Sequence, residues 1–92
     1  MNKKEREILN IALEECAEVT QAISKVFRFG FESCHPDNPN WTNRDHLTEE
    51  VGDLMCMIHL MMQQGIIERS GVEKAVSGKL AKLAKWSPEA VL

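Results

Sequence analysis

The segment from Leu47 to Met62, LTEEVGDLMCMIHLMM, constrains the fold of this chain more than any other. At 3.6 residues per turn, Glu50 and Asp53 lie on one face of the predicted helix. Beyond Asp53 almost every residue is apolar, which is typical of a helix that is buried on all sides. Buried carboxylates are costly unless a cation compensates their charge. Because the surrounding sequence offers no Arg or Lys on that face, the pattern indicates a metal ion.

A second group of acids occupies the same kind of position near the N-terminus. Residues 4 to about 29 contain neither proline nor glycine, which predicts one long helix. With about 100° of rotation per residue, Glu15 and Glu18 fall inside the apolar stripe of this helix and Glu14 falls at its edge. The apolar stripe is formed by Ile8, Ile11, Val19, Ala22, Val26 and Phe29.

Antiparallel packing of these two helices would bring four carboxylates together, with Glu15 and Glu18 facing Glu50 and Asp53. Four hard oxygen ligands without a nearby histidine or cysteine favour Mg²⁺, with Mn²⁺ as a substitute. Such ions commonly bridge protein carboxylates to substrate phosphates. The alternative interpretation is that the acids pair with cations from elsewhere or line a solvated groove. Two matching pairs inside apolar stripes favour the metal site.

Local signals end the first helix and introduce a long loop. Gly30 is predicted to be the stop signal, since glycine tolerates the backbone conformation that ends many helices. Residues 31–45 contain two prolines and three asparagines, which predicts a loop. Loops of this length in small domains are often functional. The candidate caps of the next helix are Thr42, Asn43 and Asp45.

A third helix is predicted from the capping box of Ser70 and Glu73 to about Lys85. No stretch shows strand-like alternation, and the composition is rich in good helix formers. We therefore expect an all-α fold, a helical bundle of three main helices with room for a short extra one, in a single domain of residues 1–92. A chain of 92 residues is too short to cover the apolar 47–62 helix, so we expect a homodimer or homotetramer to complete the bundle.

Charge and cysteine content narrow the range of partners. The net charge of −3 gives no general attraction to nucleic acid or to an anionic membrane, so we expect neither as a partner. The three cysteines are odd in number and form no C-x-x-C pair, which is typical of a reducing, cytoplasmic setting. The N-terminus lacks an apolar signal core, and the longest apolar run is too short to span a bilayer.

The acidic segments EECAE at 14–18 and EVGD at 50–53 resemble a known family signature. They match the E-E-x-x-E … E-x-x-D pattern of the MazG-like, all-α nucleoside triphosphate pyrophosphohydrolases. The flanking segments KVFRFG and KLAKLAKW also look like those of the small single-domain members, so the resemblance covers most of the chain. Residues 31–45 make the separation between the two halves long for that family.

The resemblance implies an oligomeric helical protein that cleaves an NTP or dNTP between the α- and β-phosphates, giving a nucleoside monophosphate and pyrophosphate. By motif position, the metal ligands would be Glu15, Glu18, Glu50 and Asp53. Glu14 matches the first acid of the signature and would position water or support the ligands. These five acids are the predicted catalytic residues.

Further side chains are candidates for contacts with the nucleotide. Lys25 and Arg28 could add positive charge at the leaving pyrophosphate, and Lys79 of the third helix could contact a phosphate. Trp41 could stack on a base, while the amide of Asn43 could read its hydrogen-bonding edge. The alternative for the three cations is a solvated surface, and for Trp41 it is a hydrophobic anchor of the loop.

Two other classes of protein compete with the enzyme. A non-catalytic helical dimerisation module would keep the acids as salt-bridged or residual groups, and it should show no response to Mg²⁺. A carboxylate-bridged di-iron protein would need a Glu-x-x-His pair on the helix, whereas this chain has Asp53 where the histidine should be. The sequence therefore favours the metal-dependent hydrolase.

Overall fold

The computed structural model describes all 92 residues, and its regular secondary structure is helical. Helix α1 spans Lys3–Phe29, α2 spans Asn43–Gln63 and α3 spans Arg69–Trp86, and a short 3-10 helix follows at Pro88–Ala90. The prediction of an all-α fold with three main helices and a short extra one is confirmed. The only strand-like pairing is an isolated antiparallel bridge between Cys34 and Thr42.

Helix α1 is flanked by two residues that favour helix ends, Asn2 and Gly30. Asn2 caps its start, because the Asn2 Oδ1 accepts from the amide of Glu5 and the Glu5 carboxylate accepts from the amide of Asn2, each at 2.8 Å. Gly30 ends it with a φ of 91°, and its amide donates to the carbonyl of Val26 at 2.8 Å. The predicted stop at Gly30 is confirmed, since a side chain at this φ would be strained.

A second reciprocal pair of hydrogen bonds starts α2. The amide of Thr42 donates to the Asp45 carboxylate, and the amide of Asp45 donates to the Thr42 hydroxyl, both at 3.0 Å. The hydrogen bonds from Thr42 hold the pKa of Asp45 below its usual range. Of the three predicted caps, Thr42 is the one that caps α2. The loop ends at Thr42, and residues 43–45 form the first turn of α2, so the predicted loop of residues 31–45 is three residues too long.

The predicted capping box at the start of α3 is wrong. The helix begins one residue before Ser70, and its cap is Glu68, whose side chain makes no capping hydrogen bond. The first helical bond runs from the amide of Val72 to the carbonyl of Glu68 at 3.0 Å, which places Ser70 inside the first turn. A serine three residues before a glutamate is only a local signal for a helix start. Here the helix already begins at Arg69, one residue before the serine.

The chain divides into two compact units, Met1–Met61 and Met62–Leu92. In the first unit α1 and α2 run antiparallel. The Asn43 side chain, at the start of α2, donates to the carbonyl of Gly30 at 3.0 Å, while Glu15 and Glu50 meet further along the two helices. This pairing positions the candidate site. The second unit contains α3 and the 3-10 helix, which pack on each other.

Burial within one chain is sparse. The buried apolar side chains are Ile8, Ala12, Ala22 and Met57. Our expectation that α2 is buried all round is therefore wrong for the single chain, because Val51 and Met55 of α2 are exposed. Helix α1 also exposes large apolar groups, and Phe27 is 86% exposed. A single neighbouring helix covers one stripe of α2 and leaves the others open.

Candidate functional site

Three of the predicted acids meet between α1 and α2. Glu15 of α1 and the pair Glu50 and Asp53 of α2 each place one carboxylate oxygen within 4.8 Å of the others. Antiparallel packing of two helices creates this group, because Glu50 and Asp53 are three residues apart and share the face that meets α1. The predicted convergence of acids from the two helices is confirmed for these three.

The electrostatics of the cluster disfavour three free negative charges. Partial burial of Glu15 raises its pKa above the ordinary value of 4.5, and the negative charges of Asp53, Glu50, Glu18 and Glu14 raise it further. Asp53 is exposed, whereas only 12% of the Glu50 side chain is accessible. Because these carboxylates repel one another, a bound cation would stabilise the cluster.

A histidine that the sequence analysis did not single out belongs to this cluster. The Nε2 atom of His46 lies 3.3 Å from Oε1 of Glu50, and the His46 side chain is only 21% exposed. At this distance the imidazole and the carboxylate form an ion pair when the imidazole is protonated. The sequence signal was present, since His46 precedes Glu50 by four residues and such pairs face each other on a helix.

A pocket of about 650 Å³ lies in the same unit, between the end of α1, the start of α2 and the loop that joins them. We call it the loop pocket. It contains three of the predicted substrate contacts, Lys25, Trp41 and Asn43, together with His46. Its remaining lining residues are Phe29, Ser33, Cys34, His35, Pro36, Asn38 and Thr42. His46 therefore borders both the loop pocket and the acid cluster.

Backbone and side-chain hydrogen bonds hold the loop in place. The Asn43 amide and the Arg44 amide donate to the carbonyls of Ser33 and Phe31, each at 2.9 Å. The Arg44 guanidinium also lies 2.7 Å from the Glu32 carboxylate and 4.5 Å from the Phe31 ring centroid. Arg44 is thus a loop-fastening residue that the sequence analysis missed, because its partners become close only when the loop folds back.

Comparison with protein-family models shows which family this chain belongs to. The family described as "MazG nucleotide pyrophosphohydrolase domain" matches residues 3–91. The chain belongs to this family. The MazG match spans both acid-bearing helices and α3, so it covers the whole of the described fold. Comparisons with curated proteins and with solved structures gave no significant match.

The three acids of this MazG domain fit a hard divalent cation. Oxygen ligands lie about 2.0–2.6 Å from Mg²⁺ or Ca²⁺, so two ligands on opposite sides of the ion are about 4–5 Å apart. The donor oxygens of Glu15, Glu50 and Asp53 lie within 4.8 Å of one another, so small side-chain rotations would bring them to the span of about 4 Å that Mg²⁺ requires. Carboxylates alone, with no sulfur donor, suit Mg²⁺ or Mn²⁺ better than zinc.

The other predicted acids of the MazG signature lie beside this group. Glu18 is exposed, and its charge reaches Glu15 from one turn further along α1, but it is not among the three that meet. Glu14 is exposed as well. The predicted roles of Glu18 as a ligand and of Glu14 as a water-positioning group remain predictions.

The two remaining cations predicted to bind phosphate lie outside the loop pocket lining. Arg28 is exposed on α1, with its guanidinium carbon 5.0 Å from the centroid of the Phe29 ring. Lys79 belongs to the second unit, where it lies on α3 in a groove with Val76 and Leu80. Both contacts stay predictions.

None of the helices of this MazG domain combines the length and the apolar character that crossing a membrane requires.

Proposed function

We propose that this MazG domain is a divalent-metal-dependent nucleoside triphosphate pyrophosphohydrolase. Water attacks the α-phosphorus of an NTP or dNTP, the bond between that phosphorus and the α–β bridging oxygen breaks, and the products are a nucleoside monophosphate and pyrophosphate. The observation that supports this reaction is the meeting of Glu15, Glu50 and Asp53 between two helices of a nucleotide pyrophosphohydrolase domain.

The metal requirement follows from charge. The protein carries a net charge of −3 and a triphosphate is also anionic, so acids and phosphates repel each other without a cation between them. Bound Mg²⁺, or Mn²⁺ in its place, supplies a Lewis acid that neutralises phosphate oxygens and favours ionisation of water. Glu15, Glu50 and Asp53 would hold the cation, and Glu18 would join them as the fourth predicted ligand.

The chain's own side chains orient the reactants around that centre. His46 fixes the position of the Glu50 carboxylate from the side of the loop pocket. Glu14, next to Glu15 on α1, positions the attacking water. Because protonated amines and guanidinium groups form strong hydrogen bonds to phosphate oxygens, Lys25 and Arg28 stabilise the negative charge on the departing pyrophosphate. Lys79 is the third predicted phosphate contact.

A homodimer or homotetramer belongs to the same proposal. The exposed apolar side chains of α1 and α2, such as Leu13, Phe27 and Met55, form surfaces that a soluble monomer rarely presents. A second copy of the chain would bury these side chains and so supply the core that one chain lacks.

Product-resolved kinetics test the proposal. A panel of NTPs and dNTPs is incubated with the protein and Mg²⁺, and the products are separated as monophosphate plus pyrophosphate or diphosphate plus phosphate. We expect only the first pair, no turnover in excess chelator, and loss of turnover by orders of magnitude in Glu50→Gln. A chain that cleaves no nucleotide and shows no thermal shift with Mg²⁺ would instead be the non-catalytic helical module.

A further inference from the structure

We propose that Arg44 is a positioning residue for the acid cluster, because it fixes how α2 lies against α1. This inference rests on the proposed function, since it concerns the cation that the acids would hold. The side chain of Arg44 contacts the loop rather than the acids, and its partners are Phe31 and Glu32, just beyond the end of α1. We call these three residues the Arg44 clamp.

The Arg44 clamp joins the start of α2 to the segment that leaves α1. The Arg44 amide donates to the Phe31 carbonyl at 2.9 Å, and its Nε donates to the Glu32 carboxylate at 2.7 Å. The guanidinium carbon lies 4.5 Å from the centroid of the Phe31 ring. An exposed ion pair contributes little to stability when it acts alone. Here the same guanidinium makes both an ion pair and a cation–π contact, so both depend on one side chain.

A neighbouring contact restrains a second side of α2. The Asn43 side chain donates to the carbonyl of Gly30 at 3.0 Å. Successive residues of a helix point about 100° apart, so Asn43 and Arg44 hold the first turn of α2 in two directions. A single contact would leave α2 able to rotate about its axis, whereas two contacts on different sides oppose that rotation. Both contacts reach residues 30–32, so they fix α2 relative to the end of α1.

Apolar packing within one chain fixes the two helices only weakly. Helix α2 contributes a single buried apolar side chain, Met57, and two of the three that α1 contributes are the alanines Ala12 and Ala22. An alanine has no atoms beyond its Cβ that could form a ridge between the side chains of a neighbouring helix. The polar contacts at the loop are therefore an important part of what sets the register of α2 on α1.

Cation binding depends on this register. Arg44 precedes Glu50 by six residues and Asp53 by nine, or about 9 and 14 Å along the helix axis. A rotation of α2 by about 20° would move a side-chain end, about 5–6 Å from the axis, by about 2 Å. Mg²⁺ needs oxygen ligands at about 2.0–2.1 Å in near-ideal octahedral geometry. Since Glu15 belongs to the other helix, such a rotation would separate its carboxylate from the two on α2 and weaken binding of the cation.

Titration with Mn²⁺, in which electron paramagnetic resonance measures the free ion, tests the inference without hydrolysis. Arg44→Ala should raise the Kd of Mn²⁺ by roughly 3- to 10-fold, the effect of losing one ion pair and its cation–π contact. Arg44→Lys keeps the charge and should recover part of the loss. The matched control is Lys85→Ala, which removes an exposed cation 4.9 Å from the Trp86 ring in the other unit and should bind Mn²⁺ as the wild type does.

A double variant shows whether Glu32 acts through Arg44. Glu32→Gln should raise the Kd of Mn²⁺, and combining it with Arg44→Ala should raise the Kd no further than Arg44→Ala alone. An unchanged Kd in Arg44→Ala, or an equal rise in Lys85→Ala, would overturn the inference. If Arg44→Ala does not fold, Phe31→Leu replaces it, because this variant removes only the ring below the guanidinium. A wild-type Kd in Phe31→Leu would then overturn the inference.

A distance measurement judges the role of Arg44 in the metal-free protein. Cys16 of α1 and Cys56 of α2 are exposed, so spin labels on them report the separation of the two helices once Cys34→Ser has removed the third thiol. Labelled chains are diluted with unlabelled ones so that only distances within a chain are measured. Arg44→Ala should shift or broaden the distance distribution, and an unchanged distribution would overturn the inference. If the wild type binds no Mn²⁺, the proposed function fails, and this measurement still decides on Arg44.

Discussion

The Nε2 atom of His46 lies 3.3 Å from Oε1 of Glu50, one helical turn away on α2. This contact joins the loop pocket to the acid cluster. Groups that orient a metal ligand typically change metal affinity or activity by about 10- to 100-fold when removed. We expect His46→Ala to raise the Mg²⁺ concentration for half-maximal activity by about that factor. His46→Gln, which keeps an N–H donor, should recover part of the loss.

The matched control for His46 is His59→Ala, since His59 is an exposed histidine on the same helix. It should leave the Mg²⁺ dependence of activity unchanged. Activity measured across a Mg²⁺ titration checks both variants. An unchanged titration in His46→Ala would show that the imidazole does not position Glu50.

We expect Glu15 to make the stability of the metal-free protein depend on pH. Its pKa is raised by burial and by the acids around it, so the folded state binds more protons than the unfolded state between the ordinary value of 4.5 and the raised folded value. The contribution of this group to the free energy of unfolding therefore falls as pH increases through that window. Glu15→Gln removes the titration and should raise the melting temperature at neutral pH without metal, while turnover falls by orders of magnitude.

Thermal melts of wild type and Glu15→Gln in chelator, from acidic to neutral pH, measure this difference. The two curves should separate as pH rises. Glu89→Gln, which neutralises an acid in the other unit, serves as the charge control. If the melting temperatures of the wild type and Glu15→Gln changed in parallel with pH, the acids around Glu15 would not be repelling its carboxylate.

The contribution of Asp45 to stability should change with pH in the opposite direction to that of Glu15. Hydrogen bonds from Thr42 lower its pKa below the ordinary value of 3.8, so its stabilising contribution is present above that value and is lost as pH falls through the lowered folded value. Asp45→Asn should be less stable than the wild type at neutral pH, and the difference should shrink in acid. Thr42→Ala removes the reciprocal cap and should cost about 1 kcal/mol in the free energy of unfolding.

Denaturant melts at several pH values check the cap. Glu49→Gln removes the same charge from α2 without touching Thr42, and it should keep a wild-type pH profile. If the difference between Asp45→Asn and the wild type stayed constant down to strongly acidic pH, the carboxylate would not be the group responsible.

Self-association is predicted from the exposed apolar side chains. Phe27 is 86% exposed in the single chain, and a partner copy that covers it would lose a large apolar contact in Phe27→Glu. Sedimentation at micromolar concentration should give a dimer or tetramer for the wild type and a smaller species for this variant. Leu92→Glu, at the chain end, is the control. A well-folded wild-type monomer of 10.4 kDa would refute the prediction.

Local sequence signals were enough for the helices and for part of the site. Gly30 and Thr42 marked helix ends correctly because a glycine stop and a side-chain cap act within a few residues of backbone. The pairing of Glu50 with Asp53 was predictable because helical periodicity alone puts residues three apart on one face. Even so, the capping box at Ser70 was wrong, since a local signal does not specify which nearby residue starts the helix.

The tertiary structure decided which of these acids meet and what lies beside them. Sequence periodicity predicted four converging carboxylates, whereas the packing of α1 on α2 brings Glu15 to Glu50 and Asp53 and leaves Glu18 exposed. The loop pocket likewise needs the loop to fold back, so that Trp41 lines the same pocket as Lys25 of α1. Such contacts depend on the angle and register between separate segments, which periodicity within one helix does not contain. The sequence by itself therefore determined the helices and the chemical character of their faces, and only packing determined the geometry of the site.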